Sequence, residues 1–442
     1  MQDFTKGKVL NQIVKFSLPM LAGNMFQQLY NIVDSIIVGR FVGKEALAAV
    51  GASFPVIFVI VALIIGIGSG FSVIISQFFG SKQMDKFNSS IDTMTISLGV
   101  FSIILTGIGI LGSTHIFKLL GLPENLIPDA TLYLNIYLSG TLFVCGFNTI
   151  RSTLRGVGDS KTPLKFLIES TITNIVLDII LIVFFDMGIA GAALATMLSH
   201  MFIFIHAVLY INKHHSLIRF RFINLKFDKD IFYHAIRIGL PTGIQQTFIA
   251  VGMVAVMSIV NKFGTNVIAA YTVGSRIDSL AILPSMSFSQ ALSSFVGQNI
   301  GAKREDRVHK GYRATLLLSL IYCVIITLVI ILFGSFIMNI FTTDKEVIEI
   351  GEHYLIIISS FYIIASVMFA THGLFKGAGA TLVPMFISII ALWGVRVPIA
   401  AVLSNIMGEE GIWWSIPMGW TVGVIATLIY YKSGKWKNKG II

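Results

Sequence analysis

Charged side chains are scarce in this sequence. Only 12% of its 442 residues are Asp, Glu, Lys or Arg, whereas soluble domains carry roughly 25%. Hydrophobic residues make up 55%, and the mean hydropathy is +0.84. This composition excludes a soluble enzyme and a disordered chain, because the charges are too few and leave long apolar stretches almost free of them. It indicates an α-helical protein that crosses a membrane many times.

Cysteine is nearly absent as well. Two cysteines, Cys145 and Cys323, exclude a disulfide scaffold, and without nearby Cys or His at ligand spacing they form no metal or redox motif. We expect both to be small buried hydrophobic residues. The apolar stretches do not alternate with period two, which excludes a β-barrel. No small-residue cleavage site follows the first apolar run, so that run is expected to be a span and not a signal peptide.

The apolar stretches number about twelve, each about 20 residues long or slightly more. If the N-terminus is cytoplasmic and the connections alternate between sides, 25 of the 32 Lys and Arg residues lie on the cytoplasmic side. This bias predicts a multi-pass protein of the cell (plasma) membrane with both termini cytoplasmic. It also explains the net charge of +10 without any nucleic-acid partner.

The two halves of the chain resemble each other at an offset of about 221 residues. The matched residues include Gly43 and Gly264, Gln77 and Gln298, Gly80 and Gly301, Lys82 and Lys303, Gly156 and Gly377, and Pro163 and Pro384. The sequence therefore predicts an all-α integral membrane fold with twelve transmembrane helices in two pseudo-symmetric lobes. The lobes are expected at residues 1–212 and 233–442, joined by a basic cytoplasmic linker at 213–232. Parallel six-span repeats around a central cavity are typical of alternating-access transporters.

Two acidic residues lie deep in predicted spans of the first half. At 1.5 Å per residue, Asp34 lies about 9 Å below the outer surface, and Asp178 and Thr196 about 12 Å below it. Asn174 precedes Asp178 by one helical turn and shares its face. Three helices thus bring polar groups to similar depths, where ionisable residues are functional candidates.

The oxygens of this cluster suit a hard cation such as Na⁺. Alternatively, the two carboxylates share a proton, because like charges disfavour ionisation of both. The plain structural alternative is that the polar groups join helices by hydrogen bonds. Against it, the second half carries no equivalent acids: Asp34 aligns with Ala255 or Val256, and Asp178 with Ile399.

Several other residues are candidates for binding or pairing. Gln27 and Asn31 extend the polar stripe of the first helix, and Met25, Phe26 and Tyr30 beside it are candidates for an adaptable cavity for lipophilic ligands. Arg396 lies in mid-span, where it either pairs with Asp278 or lines a pathway. We expect His372 to be a hydrogen-bonded interior residue.

Three sequence motifs give the chain a specific resemblance. They are Ser17-Leu18-Pro19 at the first span, Gln298-Asn299-Ile300-Gly301-Ala302-Lys303 with its first-half counterpart from Gln77, and Arg155-Gly156-Val157-Gly158-Asp159 with Pro163. With the twelve spans and two homologous halves, these motifs resemble the multidrug and toxic compound extrusion (MATE) family over essentially the whole chain.

The resemblance implies antiport of organic cations and amphipathic toxins against Na⁺ or H⁺, with no cofactor beyond the coupling ion. The family's first-lobe cation site corresponds here to Asp34, Asn174, Asp178 and Thr196. Some members also carry an acid in span seven. This chain has none between Gly239 and Ser258, and we add the polar Gln245 and Gln246 of that stretch to the substrate cavity. We expect no enzymatic activity and a monomer in the bilayer.

We expect ion binding at Asp34 and Asp178 to weaken drug binding and to shift the first helix near Pro19, which lacks a backbone donor. The main alternative is a flippase for a lipid-linked or amphipathic precursor, although such a protein would favour a cationic cavity. A membrane enzyme would need a nucleophile–base or metal set, and none is evident. An ion channel would conduct without substrate exchange.

Overall fold

The structure is a computed structural model that describes residues 1–441, apart from the side chains of Asn31 and Asn438. The described chain is helical almost throughout and contains no strand. Its first half consists of α1 (Val9–Ile37), α2 (Lys44–Gly80), α3 (Met84–Leu119), α4 (Ile127–Ser139), α5 (Thr141–Gly156), α6 (Lys161–Asp178) and α7 (Gly188–His214). Its second half consists of α8 (Lys229–Val260), α9 (Thr265–Gly301), α10 (Glu305–Asn339), α11 (Lys345–Ser359), α12 (Tyr362–Gly377), α13 (Leu382–Ile389), α14 (Val397–Met407) and α15 (Glu409–Lys432). Short π-helical segments follow α1, α6 and α13.

These helices account for the twelve predicted spans. Within residues 1–441, nine helices are long and apolar enough to cross a membrane, with π or 3₁₀ turns continuing some of them, and two further spans are the bent pairs α4–α5 and α11–α12. The bends are 47° and 50°. The 29-residue α1, which includes Lys15, Asp34 and several Asn and Gln residues, corresponds to the remaining predicted span. The prediction of a twelve-span helical fold is confirmed.

The chain forms two compact units. Unit 1 comprises residues 1–2 and 22–243, and unit 2 comprises residues 3–21 and 244–442. The boundaries fall inside α1 and α8, each about two residues after a proline, Pro19 or Pro241. The predicted linker at 213–232 therefore lies within unit 1. The lobe boundaries expected from the sequence, at residues 212 and 233, are those of the sequence repeat, and they stay a prediction.

Glycines allow a close helix crossing in unit 1. Gly66 and Gly70 of α2 face Gly239 and Gly243 of α8, and a Cβ added to Gly239 would lie 2.7 Å from the Gly66 carbonyl oxygen. Backbone atoms cannot yield as a flexible side chain can. Small residues four apart let membrane helices approach closely, so these glycines fix the crossing of α2 and the first part of α8.

The repeated Gly-x-Gly motif is also a packing feature. A Cβ on Gly156 would come within 3.1 Å of the Ser72 carbonyl oxygen, and Gly377, its counterpart in unit 2, packs against the carbonyl oxygen of Ser293 in the same way. The second glycines of the motif, Gly158 and Gly379, have φ values of 76° and 81°. Both units therefore use the motif to close a helix against a neighbour and then turn the chain.

Unit 2 contains an aromatic core. Tyr271 stacks on Trp413 with ring centroids 5.5 Å apart, and Tyr354 meets Trp413 edge to face at 4.9 Å. All three side chains are buried.

The expected buried state of both cysteines is confirmed, since Cys145 and Cys323 are each 1% exposed and free of disulfides.

The N-terminal segment is held tightly within unit 2. The buried Arg307 donates to the carbonyl oxygen of Phe4 through Nε at 3.1 Å and Nη2 at 2.9 Å, and to that of Gly7 at 2.9 Å. Gln298 accepts the Phe4 backbone N–H at 2.9 Å, and Asn299 donates to the Phe4 carbonyl at 3.2 Å. The Gln-Asn pair of the repeated motif therefore binds the chain just before α1.

Candidate functional site

Two helices of unit 1 carry a carboxylate near the place where their geometry changes. Asp34 lies four residues before the π-helical turn Val38–Val42, and Asp178 is the last residue of α6, just before the π-helical turn Ile179–Phe184. The two π-helical segments contact each other. Wide π turns leave backbone groups in irregular positions and are frequent at functional sites.

The polar atoms of this cluster are buried and poorly satisfied by the protein. Asn174 and Asp178 are fully buried. Five atoms of the cluster have no hydrogen-bond partner among the described residues: both carboxylate oxygens of Asp178, both side-chain polar atoms of Asn174 and Oδ1 of Asp34. Native proteins leave few such atoms unpaired. Burial of these unpaired atoms therefore destabilises the folded state unless a ligand such as an ion or a proton binds them.

The two carboxyl groups are direct neighbours. Asp34 and Asp178 lie close enough to interact through their side chains, although neither oxygen of Asp178 has hydrogen-bond geometry to a described residue. Two adjacent buried carboxylates cannot both remain charged without a compensating cation or proton. The structure thus brings together the two acids that the sequence placed at similar depth.

Thr196 joins the cluster from α7. Its hydroxyl donates to the Ala192 carbonyl at 3.1 Å and lies 3.5 Å from the hydroxyl oxygen of Tyr30. Tyr30 in turn lies within electrostatic range of both Asp34 and Asp178. The first helix therefore contributes a tyrosine as well as an acid to this site.

Sequence reasoning missed the tyrosines of α4. Tyr133 lies within range of Asp34, Asp178 and Tyr30, and Tyr137 within range of Tyr30. Their spacing of four residues puts both on one helix face, which was the available signal. Both tyrosines carry a hydroxyl that can donate a hydrogen bond.

The donor set fits a hard monovalent cation or a shared proton. Carboxylate, amide and hydroxyl oxygens are hard ligands, and the orphaned atoms are the ones such an ion would engage. A proton shared between Asp34 and Asp178 would equally relieve their repulsion. The geometry supports both of the alternatives that the sequence left open.

The predicted substrate residues fall in both units. In unit 1, Met25 and Phe26 are 49% and 37% exposed, Gln27 is exposed and Tyr30 is half-buried. The Asn31 side chain lies outside the described residues. In unit 2, Gln246 is half-buried, and Gln245 donates to the Ser388 hydroxyl at 2.6 Å. Exposed apolar side chains on α1 are available to a ligand, whereas Gln245 already has a partner.

Unit 2 has a polar cluster of different character. Tyr362 donates to Oδ1 of Asp278 at 2.8 Å. Arg396 makes no ion pair within 4 Å with Asp278 among the described contacts, but it lies within electrostatic range of that carboxylate and of Tyr271. The predicted interior role of His372 is confirmed, since its Nε2 lies 3.1 Å from the Thr427 hydroxyl oxygen.

Twelve spans in two similar halves, with a buried acidic cluster in one of them, define a duplicated membrane transporter. A family model described as MatE matches the chain twice, at residues 19–180 and 241–402. The two matches are offset by 222 residues, which confirms the internal repeat. The chain therefore belongs to the MATE family, as its motifs indicated.

Relatives and solved structures agree with this assignment. The chain is 34% identical over 436 residues to a probable multidrug resistance protein, YpnP of Bacillus subtilis, covering 98% of this chain and 97% of the relative. It is 27% identical to the probable multidrug resistance protein NorM of Thermotoga maritima, covering 98% and 95%. A crystal structure of MATE in the straight conformation superimposes with a TM-score of 0.90 at 24% identity, covering 98% and 97%. The fold is thus that of MATE transporters.

Proposed function

We propose that this protein exports cationic and amphipathic organic compounds from the cytoplasm in exchange for Na⁺ or H⁺. The observation that carries the proposal is the acidic cluster of unit 1, where Asp34, Asn174 and Asp178 present buried atoms without partners among the described residues. Such a cluster is stabilised when a cation is bound and destabilised when the site is empty. Thr196 completes the set of oxygen ligands.

Coupling follows from competition between charges. A bound Na⁺ or proton neutralises Asp34 and Asp178, and the site then attracts a cationic substrate less strongly. By linkage, substrate weakens ion binding by the same factor. Alternating access then converts the ion gradient into outward transport of substrate, with α1 as the helix that carries both Asp34 and the substrate-contacting residues.

The substrate residues that we propose are apolar and amide side chains. Met25, Phe26, Gln27, Tyr30 and Asn31 supply them from unit 1, and Gln245 and Gln246 from unit 2. Met and aromatic side chains adapt to ligands of different shape, and aromatic faces attract organic cations. The names of the relatives, which describe multidrug resistance, support this substrate class.

The basic residues support a placement in the plasma membrane with both termini cytoplasmic. We propose that a single chain is the transporting unit, since the ion ligands all come from one chain. The coupling ion is the only non-protein group that the scheme requires.

The test is dye efflux from proteoliposomes under separately imposed gradients. Ethidium transport is measured with an inward Na⁺ gradient at constant pH, and then with a pH gradient at constant Na⁺. We expect one gradient to drive efflux in the wild type, and the Asp34→Asn variant to lose this response. No response to either gradient in the wild type would contradict antiport.

The matched control is Asp85→Asn, which removes an exposed carboxylate at the start of α3. This control should transport like the wild type. If both variants lose transport equally, the loss reflects net charge or folding and not the cluster.

A further inference from the structure

The connection between α7 and α8, residues 215–228, folds back along the side of α7. The Asn212 side chain binds Phe220 twice, with its Nδ2 donating to the Phe220 carbonyl at 2.9 Å and its Oδ1 accepting the Phe220 N–H at 2.8 Å. Two residues further on, the ring of Phe222 meets that of Phe204 edge to face, with centroids 6.0 Å apart. Phe204 lies ten residues before the end of α7, which is about 15 Å along the helix axis. The connection therefore covers the flank of α7 and not its end.

The rest of the connection is attached to α3. The Lys226 N–H donates to Oδ2 of Asp92 at 3.3 Å, and the Asp228 N–H donates to the Thr93 hydroxyl oxygen at 3.0 Å. Asp228 also pairs with Lys86 at 2.8 Å. Asp92 lies eight residues after α3 begins, which is about 12 Å along the helix axis. Two helices of unit 1 thus hold the connection against their sides.

The first part of the connection has two faces. Ile218 and Phe220 are buried, whereas Arg219 and Arg221, which alternate with them, are exposed. This alternation is that of an extended chain, in which neighbouring side chains point in opposite directions. Burial of the two apolar side chains therefore directs both arginines away from the protein.

The turn that follows exposes two large apolar side chains. Phe222 is 56% exposed and Ile223 is 78% exposed, and Asn224 turns the chain with a φ of 59°. Adjacent apolar side chains of this size are unfavourable in water, and exposed apolar patches mark sites of contact with proteins or membranes. Phe204, which Phe222 contacts, belongs to a helix whose apolar window has a mean hydropathy of 1.8. The apolar tip therefore lies beside a helix surface that suits acyl chains.

The two arginines have no acidic partner in unit 1. Among the described residues, neither Arg219 nor Arg221 forms an ion pair within 4 Å. Asp228, the acid at the end of the connection, is engaged by Lys86. A guanidinium binds two oxygens of a phosphate group at once. The outward face thus presents two phosphate-binding groups next to an apolar tip.

We infer that residues 217–227 form a lipid-binding surface, in which Arg219 and Arg221 bind the phosphates of anionic phospholipids and Phe222 and Ile223 lie among the outer parts of the acyl chains. Charge complementarity selects anionic headgroups, and the apolar tip selects a lipid over a free phosphate. The inference rests on the proposed membrane placement, which puts this connection at the cytoplasmic leaflet, and it is independent of the acidic cluster. Each arginine should raise the affinity for an anionic lipid about fivefold.

The first test measures lipid binding by the full-length protein in dodecyl maltoside. Tm is recorded while palmitoyl-oleoyl phosphatidylglycerol, palmitoyl-oleoyl phosphatidylcholine or inorganic phosphate is added. We expect phosphatidylglycerol to raise Tm at lower concentrations than the other two. In Arg219→Gln combined with Arg221→Gln, the midpoint of the phosphatidylglycerol curve should move to a concentration about tenfold higher or more, while the phosphatidylcholine curve stays unchanged. Efflux plays no part in this measurement, so a failure here is distinct from a failure of antiport.

The matched control is Lys310→Gln combined with Lys435→Gln, which removes two exposed basic residues of unit 2. This control should keep the wild-type midpoint. An unshifted midpoint in the arginine variant, an equal shift in the control, or an equal rise of Tm with inorganic phosphate would each contradict the inference. A change from dimer to monomer in the arginine variant would show that the surface binds a second copy of the chain, and would contradict it as well.

A second test measures the depth of the apolar tip. Ile223→Cys is labelled with a fluorophore in nanodiscs that contain phosphatidylglycerol, and the native Cys145 and Cys323 should not react because they are buried. Spin-labelled lipid should quench this label more strongly than iodide does. The opposite order is expected for Lys435→Cys, at an exposed position after α15. Stronger quenching by iodide at position 223 would show that the tip lies in water, and the inference would be wrong.

Discussion

The two units of this transporter balance buried negative charge in opposite ways. Unit 1 places Asp34 beside Asp178 and offers them hydroxyl and amide groups but no base among the described residues. Unit 2 places one acid, Asp278, under the influence of Arg396 and a tyrosine hydroxyl. The acid of unit 2 thus accepts a hydrogen bond, whereas the acids of unit 1 have buried oxygens without a partner among the described residues. The comparison teaches that two halves of a duplicated fold can surround an acidic side chain in different ways.

A second contrast concerns the segments that lead into α1 and α8. Arg307 of unit 2 and Lys86 of unit 1 occupy equivalent positions in the repeat. Arg307 makes several short bonds to the backbone before α1, whereas Lys86 makes one ion pair of 2.8 Å with Asp228 before α8. The residue at this location therefore makes several bonds to one segment and a single ion pair to the other.

The largest expected effect comes from neutralising one acid in each unit. Asp178→Asn should lower gradient-driven efflux by about tenfold or more, because the site no longer holds a coupling ion. Asp278→Asn should instead lower Tm, since the Tyr362 hydroxyl loses its charged acceptor, while the folded fraction keeps coupled efflux. Efflux per folded protein and Tm are measured on both variants. If Asp278→Asn loses coupled efflux while its Tm is unchanged, the acids of the two units do not differ in their roles.

The next effect comes from releasing the N-terminal segment. Arg307→Met should cost about 3 kcal/mol of stability, because the buried carbonyl oxygens of Phe4 and Gly7 lose their main donor. Thermal unfolding in detergent measures the change. Arg304→Met, three residues earlier at an exposed position paired with Asp306, is the matched control. Equal losses in the two variants would show that the bonds to the segment contribute little.

A smaller effect is expected at the glycine crossing of unit 1. Gly239→Ala should destabilise by about 1–3 kcal/mol, since its Cβ would meet the Gly66 carbonyl oxygen. Gly99→Ala in α3 faces open space and should gain about 0.5–1 kcal/mol from helix propensity. Unfolding curves of the two variants should therefore shift in opposite directions. If Gly239→Ala leaves the free energy of unfolding unchanged, α2 and α8 can move apart without loss of stability, which would contradict this account.

The smallest effect is expected at the segment before α8. A hydrogen bond from Lys86 holds the pKa of Asp228 below its usual range, so this contribution is complete above the ordinary Asp pKa and is lost as the pH falls. Lys86→Met should lower Tm slightly at pH 7, and its difference from the wild type should shrink below about pH 4. Lys118→Met, on an exposed position of the same helix, is the control. A difference that grows on acidification would contradict the assignment.

Much of this arrangement could be predicted from the sequence. Hydropathy indicated the span count, and helical rise placed Asp34, Asp178 and Thr196 at similar depths before any contact was known. The tyrosines of α4 were not predicted, because a tyrosine in an apolar span does not stand out as a charged residue does. The unit boundaries inside α1 and α8 could not be predicted either, since a helix that passes from one packing environment to another has a continuous apolar pattern. Nor did spacing reveal that Arg307 binds the N-terminal segment, which lies about 300 residues away in the chain.

The most direct test of the central claim is ion release upon substrate binding. Purified protein is loaded with Na⁺ or equilibrated in weak buffer, a cationic substrate is added, and the released Na⁺ or H⁺ is measured. We expect release from the wild type and from Asp278→Asn, and none from the combined Asp34→Asn and Asp178→Asn variant while it still binds substrate. Undiminished release from that combined variant would show that the acidic cluster of unit 1 does not hold the coupling ion.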